Sequence, residues 1–313
     1  MDSYDCVVVG GGAAGLSAAL VLGRARRSTL LIDAGQQSNL AARGIGGLLG
    51  FDGRPPAELY AQGRSELLTY PSVECLTATV TAARRGDGGF TVELSDRGRV
   101  RARRVLLATG VEYRTADIPG AQPLWGTTVV HCPFCDGWEL RDQPLAVLAR
   151  GDKAVHAALL VRGWTDDLVV LTDGSDGVGP ADRRRLAAAG IAVDERTVEA
   201  LQAEQGRLAA VLFDDGTSLP RRGLVIATTL RRRSRLAEQL GAVCHTSGPV
   251  VTNPIDVDKL GRTTVHGLFA AGETCTQAPQ VAGAIAGGSV AATAIVESLL
   301  AEDFGLPFPP RSD

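Results

Sequence analysis

Two cysteines stand two residues apart in the segment "VVHCPFCDGWEL". Cys132 and Cys135 follow His131 and directly precede Asp136. Such a pair can hold a metal ion, form a buried structural disulfide, or act as a redox couple in which a thiolate reacts. A metal clip needs about four ligands, and the sequence contains no second C-x-x-C and no suitable His/Cys cluster. The histidine can tune a thiolate or pack at a domain seam.

The bulk properties of the chain are those of a soluble globular protein. Its 313 residues suffice for about two domains, and 45% of them are hydrophobic and 21% charged. We expect no apolar run long enough to cross a bilayer. A net charge of −3 gives no sign of a nucleic-acid or membrane surface. A strand-like run begins by Tyr4 and leaves no room for a signal peptide, so we expect a cytoplasmic protein with no membrane or nucleic-acid partner.

A dinucleotide-binding fingerprint opens the chain. The apolar run that contains Cys6 meets Gly10, Gly12 and Gly15 at G-x-G-x-x-G spacing, a helical segment follows, and the next strand ends in Asp33. The first glycine allows a tight turn, the second lets a pyrophosphate approach the backbone, and the third lets the helix pack on the strand. The helix N-terminus then faces the anion. Cys6 itself is predicted to be buried and inert.

Strand and helix patterns alternate along the rest of the chain. We predict a helix near 57–69, strands near 74–83 and 89–94, and a strand in "RRVLLATG" that ends in a turn at Gly110. After the cysteine segment a second strand–turn–helix–strand unit follows. The strand "TTVHGLFAAGETC" and a small-residue helix close the pattern. This alternation is typical of an α/β fold.

Four motifs in order, "GGGAAG", "LLATG", "CPFCDG" and "GLFAAGE", resemble those of the thioredoxin-reductase-like family of flavoprotein disulfide oxidoreductases. The resemblance covers nearly the whole chain. It implies an α/β fold with two Rossmann-like, three-layer nucleotide-binding domains. The FAD-binding domain would be discontinuous, formed by 1–116 and 246–313. A smaller NAD(P)-binding-like domain at 117–245 would be inserted and would carry the cysteine pair. The resemblance also implies a homodimer.

FAD is the cofactor that the resemblance implies. Asp33 would bind the adenosine ribose, Gly272 and Glu273 would lie by the ribityl chain and pyrophosphate, and Gln280 would lie near the isoalloxazine. Glu273 replaces the family's usual aspartate, and its longer side chain can still accept the hydrogen bonds. No metal site is predicted. The predicted cofactor-binding residues are Gly10, Gly12, Ala13, Ala14, Gly15, Asp33, Gly110, Gly272, Glu273, Gln280 and Val281.

The same resemblance assigns roles to the cysteine segment. Cys135 would face the flavin, Cys132 would exchange with the substrate, and Asp136 would be the acid/base carboxylate. These assignments favour a redox couple over the metal and structural alternatives.

The second nucleotide-binding turn departs from that of NADPH-dependent members. It reads "LARGDKA". Ala149 stands at the first glycine position of the glycine-rich turn, and Arg150 stands between the first two glycine positions. Only Gly151 and Ala154 fit the pattern of that turn.

The strand after that turn also differs from an NADPH site. It ends in "LTDGSD", so Asp173 and Asp176 stand where a 2′-phosphate would require arginines, and Thr229 stands where the family prefers glycine. These differences favour loss of NADPH binding. A divergent NADH site is the alternative, because an acid can bind a ribose diol.

Without a nicotinamide, electrons could flow from a dithiol through the cysteine pair to FAD and then to O2. This pattern resembles the dithiol oxidases that close disulfides in natural products of the gliotoxin, holomycin and romidepsin type. It implies a small-molecule dithiol and O2 as partners, with a disulfide and H2O2 as products. The alternatives are a thioredoxin or disulfide reductase fed by NAD(P)H or ferredoxin, and a flavin-bound sensor without turnover.

Overall fold

The computed structural model describes residues 2–95, 98–114, 117–175, 177–246, 248, 250–309 and 311. The helices in these residues are α1 (Ala13–Arg24), α2 (Pro56–Leu67), α3 (Pro133–Leu140), α4 (Asp152–Val161), α5 (Pro180–Ala188), α6 (Leu236–Gln239) and α7 (Val281–Phe304). The strands are β1 (Ser3–Val9), β2 (Thr29–Asp33), β3 (Val73–Thr77), β4 (Val80–Gly86), β5 (Gly89–Leu94), β6 (Gly98–Leu107), β7 (Val111–Arg114), β8 (Val129–Val130), β9 (Leu145–Leu148), β10 (Leu168–Leu171), β11 (Ala192–Asp194), β12 (Val198–Glu204), β13 (Arg207–Phe213), β14 (Ser218–Pro220), β15 (Gly223–Ile226), β16 (Thr229–Arg232), β17 (Val251–Thr252) and β18 (Leu268–Ala270).

The chain divides into two compact units. The first comprises residues 1–40, 55–113 and 229–313, and the second comprises residues 41–54 and 114–228. Both units contain a parallel sheet with helical crossovers, so the predicted α/β class with two Rossmann-like domains is confirmed. The domain ranges inferred from sequence stay a prediction; in the structure, residues 41–54 group with the second unit and residues 229–245 with the first.

The first unit is built on a sheet of order β3-β2-β1-β6-β5-β4, with β18 also paired to β6. Strands β3, β2, β1, β6 and β18 run parallel, and β4, β5 and β6 are antiparallel. Val9 lies opposite both Ile32 and Leu107 in register. The carboxyl ends of the central strands therefore meet at one edge, where α/β sheets bind their ligands.

Side chains alternate between the two faces of this sheet because successive strand residues point in opposite directions. On β1, Val7 and Val9 belong to one buried cluster and Cys6 and Val8 to the other. Cys6 is fully buried, as predicted, and burial raises the pKa of its thiol well above the usual value.

The prediction of one continuous strand near 74–83 is wrong. It is divided into β3, which pairs with β2, and β4, which pairs with β5. Between them the Ala78 N–H donates to the Asp33 carbonyl at 3.1 Å, beyond the last β2–β3 pair. The two strands occupy opposite ends of the same sheet.

The second unit has a parallel sheet of order β11-β10-β9-β15-β8 and an antiparallel sheet of order β12-β13-β14. Its three central parallel strands, β9, β10 and β15, are buried on both faces and carry apolar side chains, as is usual for such sheets. Strand β8 lies at one edge of the parallel sheet. Helix α3 follows it along the chain and begins at the cysteine pair.

The expectation that no apolar segment is long enough to cross a bilayer is wrong for helix α7. An 18-residue stretch of this 24-residue helix has a mean hydropathy of 1.6, so α7 is long and apolar enough to cross a membrane by length and composition. Ala291, Ile295 and Leu299 are buried in the core cluster that also contains α1 residues. Length and composition alone are weak evidence for a membrane span, because core helices meet the same criterion.

Candidate active site

The cysteine pair lies at the start of α3. Cys132 caps the helix in an extended conformation, Pro133 occupies the first helical position, and Cys135 lies in the first turn. The two cysteines form a disulfide with a Cα–Cα distance of 5.3 Å. The N–H groups of Cys135 and Asp136 donate to the Cys132 carbonyl at 3.1 and 3.2 Å. The C-x-x-C spacing thus places both sulfurs at one helix terminus.

The carboxyl of Asp136 has a pKa close to neutral pH. The pKa of its carboxyl is raised to about 7, first by burial, which disfavours the charged form, and then by the negative charge of Glu139. A general acid or base works best when its pKa lies near the operating pH. The geometry therefore suits proton transfer at the helix that carries the disulfide.

His131 does not supply a positive charge to the cysteines near neutral pH. Burial lowers the pKa of its imidazole to about 4. Its ring stacks on Trp125 with centroids 5.8 Å apart. Of the two roles considered from sequence, the packed histidine fits these observations and the thiolate-tuning imidazolium does not.

The segment 41–54 packs against the cysteine helix within the second unit. A Cβ on Gly46 would overlap the backbone carbonyl of Cys135. The segment is held by paired backbone bonds, Ile45 N–H to the Arg54 carbonyl at 2.9 Å and Gly53 N–H to the Ile45 carbonyl at 2.8 Å. Sequence reasoning missed this contact, because nothing local in the glycine-rich stretch indicates which unit it joins.

The outer face of α3 carries two exposed aromatic residues. Phe134 and Trp138, one helical turn apart, are 61% and 66% exposed. Phe134 packs edge-on against Trp164 with centroids 5.7 Å apart, and the Arg141 guanidinium lies 4.0 Å from the Trp138 ring centre. Large aromatic side chains therefore lie along the outer face of α3, the helix that begins at the cysteine pair.

In the first unit, a cavity of about 520 Å³ lies at the carboxyl edge of the large sheet. All but one of the predicted cofactor-binding residues line it. The lining residues from that set are Gly10, Gly12, Ala13, Ala14, Asp33, Gly110, Gly272, Glu273, Gln280 and Val281. Gly15 instead lies behind the turn, where a Cβ would overlap the Gly10 carbonyl.

The glycine turn after β1 has the geometry that the fingerprint requires. Gly10 has a φ of +109°, and a Cβ there would overlap the Ala108 carbonyl. Gly12 caps α1 without a side-chain hydrogen bond, and a Cβ there would meet only Gln37 Cγ, at 3.8 Å. The open backbone N–H groups of this helix start can bind an anion such as a pyrophosphate.

Asp33 lies at the end of β2 and faces the glycine turn. Its Oδ1 accepts bonds from the N–H groups of Gly11 at 3.2 Å and Gly35 at 3.1 Å. The Gln37 side chain donates to both carboxylate oxygens, at 3.1 and 2.9 Å. This amide was not predicted, and it places a second polar group beside the Asp33 carboxylate.

Glu273 is buried in the same cavity wall, and burial raises the pKa of its carboxyl. Tyr113 donates to its Oε1 at 3.3 Å and Ser38 to its Oε2 at 3.4 Å. Sequence reasoning missed both donors, which lie 160 and 235 residues away along the chain. Glu273 therefore accepts two hydrogen bonds within the wall.

Gln280 and Val281 mark the start of α7. Gln280 is the capping residue, in an extended conformation, and its carbonyl accepts the Ala284 N–H at 2.9 Å. Gly110 and Gly272 both have positive φ, +64° and +79°, at the turns after β6 and β18. These four residues bring distant strands and a helix start to one cavity.

The "LARGDKA" turn, which the sequence predicts to be a degenerate nucleotide site, follows β9 in the second unit. Gly151 caps α4 with a φ of +59°. The Arg150 Nη2 donates to the carboxylate of Asp173 at 2.7 Å and to its backbone carbonyl at 3.1 Å. Asp173 Oδ1 also accepts the Val198 N–H at 2.9 Å. Asp176 lies outside the described residues, and Thr229 begins β16 in the first unit.

Comparison with known proteins adds independent information. A family model described as pyridine nucleotide-disulphide oxidoreductase matches residues 4–288. The chain is 32% identical over 309 residues to thioredoxin reductase tcpT of Claviceps purpurea (strain 20.1), with 95% of each chain covered. Among solved structures, the oxidoreductase from Agrobacterium tumefaciens is 35% identical with a TM-score of 0.89, over 96% of this chain and 99% of that one. HlmI is 36% identical with a TM-score of 0.91, over 97% and 94%.

The family match, these relatives and the disulfide at the start of α3 agree. The family is flavin-dependent, and its thioredoxin-reductase-like members act on disulfides or dithiols. The chain therefore belongs to the pyridine nucleotide-disulphide oxidoreductase family, as a thioredoxin-reductase-like flavin disulfide oxidoreductase.

Proposed function

We propose that this protein is an FAD-dependent dithiol oxidase that forms a disulfide in a small-molecule dithiol. The observation that carries the proposal is the Arg150–Asp173 ion pair in a unit that also contains the Cys132–Cys135 disulfide. Asp173 already neutralises Arg150, and it places a carboxylate where a 2′-phosphate would need cations. The chain has the C-x-x-C pair but has neither the full glycine-rich turn nor the arginines that NADPH-dependent members use to bind NADPH.

The residues of the large cavity fit FAD. The glycine turn and the uncapped start of α1 suit a pyrophosphate, Asp33 suits a ribose, and Gln280 lies at the start of α7 in the same wall. When bound, FAD would accept two electrons from the reduced cysteine pair and pass them to O2.

The cysteine pair would carry out the exchange. A thiolate of the substrate attacks the Cys132 sulfur, and Cys135 leaves as a thiolate. The second substrate thiol then attacks the sulfur bound to Cys132, so the substrate leaves as a disulfide and the protein pair is reduced. Asp136 accepts a proton that the thiols release. In total, a dithiol and O2 give a disulfide and H2O2.

A second candidate is a reductase of thioredoxin or another disulfide. The name thioredoxin reductase carried by tcpT favours it. NAD(P)H or ferredoxin would then supply electrons in the opposite direction. The two functions differ in electron source, so O2 consumption and H2O2 formation with dithiothreitol alone test the proposal. Steady turnover without a nicotinamide supports the oxidase, and turnover that requires NAD(P)H and a protein disulfide supports the reductase.

We also propose a homodimer and a cytoplasmic location. Symmetric dimers are the commonest oligomers of soluble enzymes. Light scattering of the flavin-loaded protein tests the dimer, and the mass of a single chain, 32.6 kDa, would contradict it.

A further inference from the structure

A small cavity lies against α3, the helix that begins at the cysteine pair, within the second unit. It has a volume of about 120 Å³, enough for several water molecules. Cys135, Asp136 and Glu139 line it from α3. Asp136 is half-buried, whereas Glu139 is exposed. The cavity thus joins the acid/base carboxylate to a second carboxylate that reaches solvent.

The charged groups that line the cavity together with Asp136 come from three elements. Glu139 lies three residues later on the same helix face, Arg43 comes from the segment 41–54, and Arg207 comes from the start of β13. Thr127 and four glycines complete most of the wall, so polar backbone groups can bind water there. His131 carries no charge near neutral pH because burial lowers its pKa to about 4.

We propose that Glu139 is a positioning residue that links Asp136 to solvent: its charge sets how firmly Asp136 holds a proton, and its carboxylate passes that proton to bulk water. The proposal rests on the proposed role of Asp136 in dithiol oxidation. It is supported by the raised pKa of Asp136, for which burial is the first cause and Glu139 the second.

The proton balance is simple. A thiol of the substrate loses a proton to an Asp136 oxygen, and the neutral carboxyl then gives it to water in the cavity. Water delivers the proton to a Glu139 oxygen, from which it passes to solvent. The S–H bond of the thiol breaks, an O–H bond forms on Asp136, and no oxidation state changes in this step.

The electrostatic part can be measured without turnover. The flavin-loaded protein is labelled with ¹³C at the aspartate side-chain carboxyls, and the Asp136 signal is assigned from Asp136→Asn and titrated. In Glu139→Gln, which removes the neighbouring negative charge, the Asp136 midpoint should fall by roughly 0.4 pH unit or more. Glu139→Asp should keep a midpoint near that of the wild type. An unchanged midpoint in Glu139→Gln would overturn the coupling.

The relay part is measured in the anaerobic reduction of the protein by dithiothreitol, which does not involve O2. Glu139→Gln should slow this step, but by less than Asp136→Asn does. For Asp136→Asn we expect a loss on the order of a hundredfold or more. Added imidazole should restore the rate in Glu139→Gln and leave the wild type unchanged. A Glu139→Gln rate equal to the wild type, or one that imidazole does not restore, would overturn the relay.

Glu199→Gln is the matched control, because Glu199 is an exposed carboxylate of the same unit on β12 that does not line the cavity. It should leave both the titration and the reduction rate unchanged. If the wild type consumes no O2 with any dithiol, the proposed oxidase function fails, yet the Asp136 titration still decides the role of Glu139.

Discussion

Arg150 and Asp173 form an ion pair at 2.7 Å that joins the turn after β9 to the end of β10. The two side chains are 63% and 26% exposed, so the pair itself contributes only about 0–1 kcal/mol to stability. Its importance lies in what it presents to a ligand. A dinucleotide would meet a bulky, neutralised arginine in the turn and a carboxylate after the next strand.

The first prediction concerns FAD binding. Gly10→Ala should give a colourless protein, because the added Cβ would overlap the Ala108 carbonyl and the φ of +109° disfavours alanine. Gly35→Ala is the control: it also has a positive φ, at a strain of roughly 1–2 kcal/mol, but nothing lies within 4 Å of its Cβ. Flavin absorbance per chain is the measurement, with one FAD expected in the wild type. A fully yellow Gly10→Ala would contradict the assigned site.

The roles of the two cysteines give a spectroscopic prediction. In Cys132→Ser, Cys135 would remain as a thiolate favoured by the start of α3 and would donate charge to the flavin. A broad long-wavelength absorbance should therefore appear in Cys132→Ser and be absent from Cys135→Ser. Both variants should lose dithiol oxidation. The band appearing in Cys135→Ser instead would reverse the two roles.

Asp136 gives a prediction for pH dependence. The ionised carboxylate is the proton acceptor, and its pKa is raised to about 7, so the rate of dithiol oxidation should fall as the pH drops through about 7. Asp136→Asn should remove this acidic limb and slow turnover by on the order of a hundredfold or more while retaining FAD. Stopped-flow rates across the pH range check this. A limb that persists in Asp136→Asn would assign it to another group.

His131 should not control the pH profile. Because burial lowers its pKa to about 4, the imidazole is neutral throughout the range from about pH 5 to 8. His131→Gln should therefore leave the shape of the profile in that range unchanged. A limb that disappears in His131→Gln would show that the histidine is charged in the working enzyme.

The sequence signals that point to the large cavity of the first unit are local. The spacing of Gly10, Gly12 and Asp33 in a strand–turn–helix–strand unit already implies that they meet at one sheet edge, and the structure places all three on one cavity. The sequence also shows that Arg150 and Asp173 depart from the pattern of an NADPH site, but it does not show that their side chains form an ion pair.

The parts that sequence reasoning missed depend on distant contacts. Tyr113 and Ser38 bond to Glu273 across 160 and 235 residues. The segment 41–54 joins the cysteine helix although it lies between elements of the first unit. Local patterns carry no information on such contacts, because tertiary packing alone determines them.

Anaerobic reduction of the bound flavin tests the central claim most directly. Stoichiometric NADPH, NADH and dithiothreitol are each added to the oxygen-free protein, and the loss of flavin absorbance is followed. The account predicts rapid bleaching by dithiothreitol through Cys132 and Cys135. It predicts poor bleaching by NADPH, because the Arg150–Asp173 pair leaves a neutralised arginine in the turn and a carboxylate after β10. Fast bleaching by stoichiometric NADPH would contradict the oxidase and establish the reductase in its place.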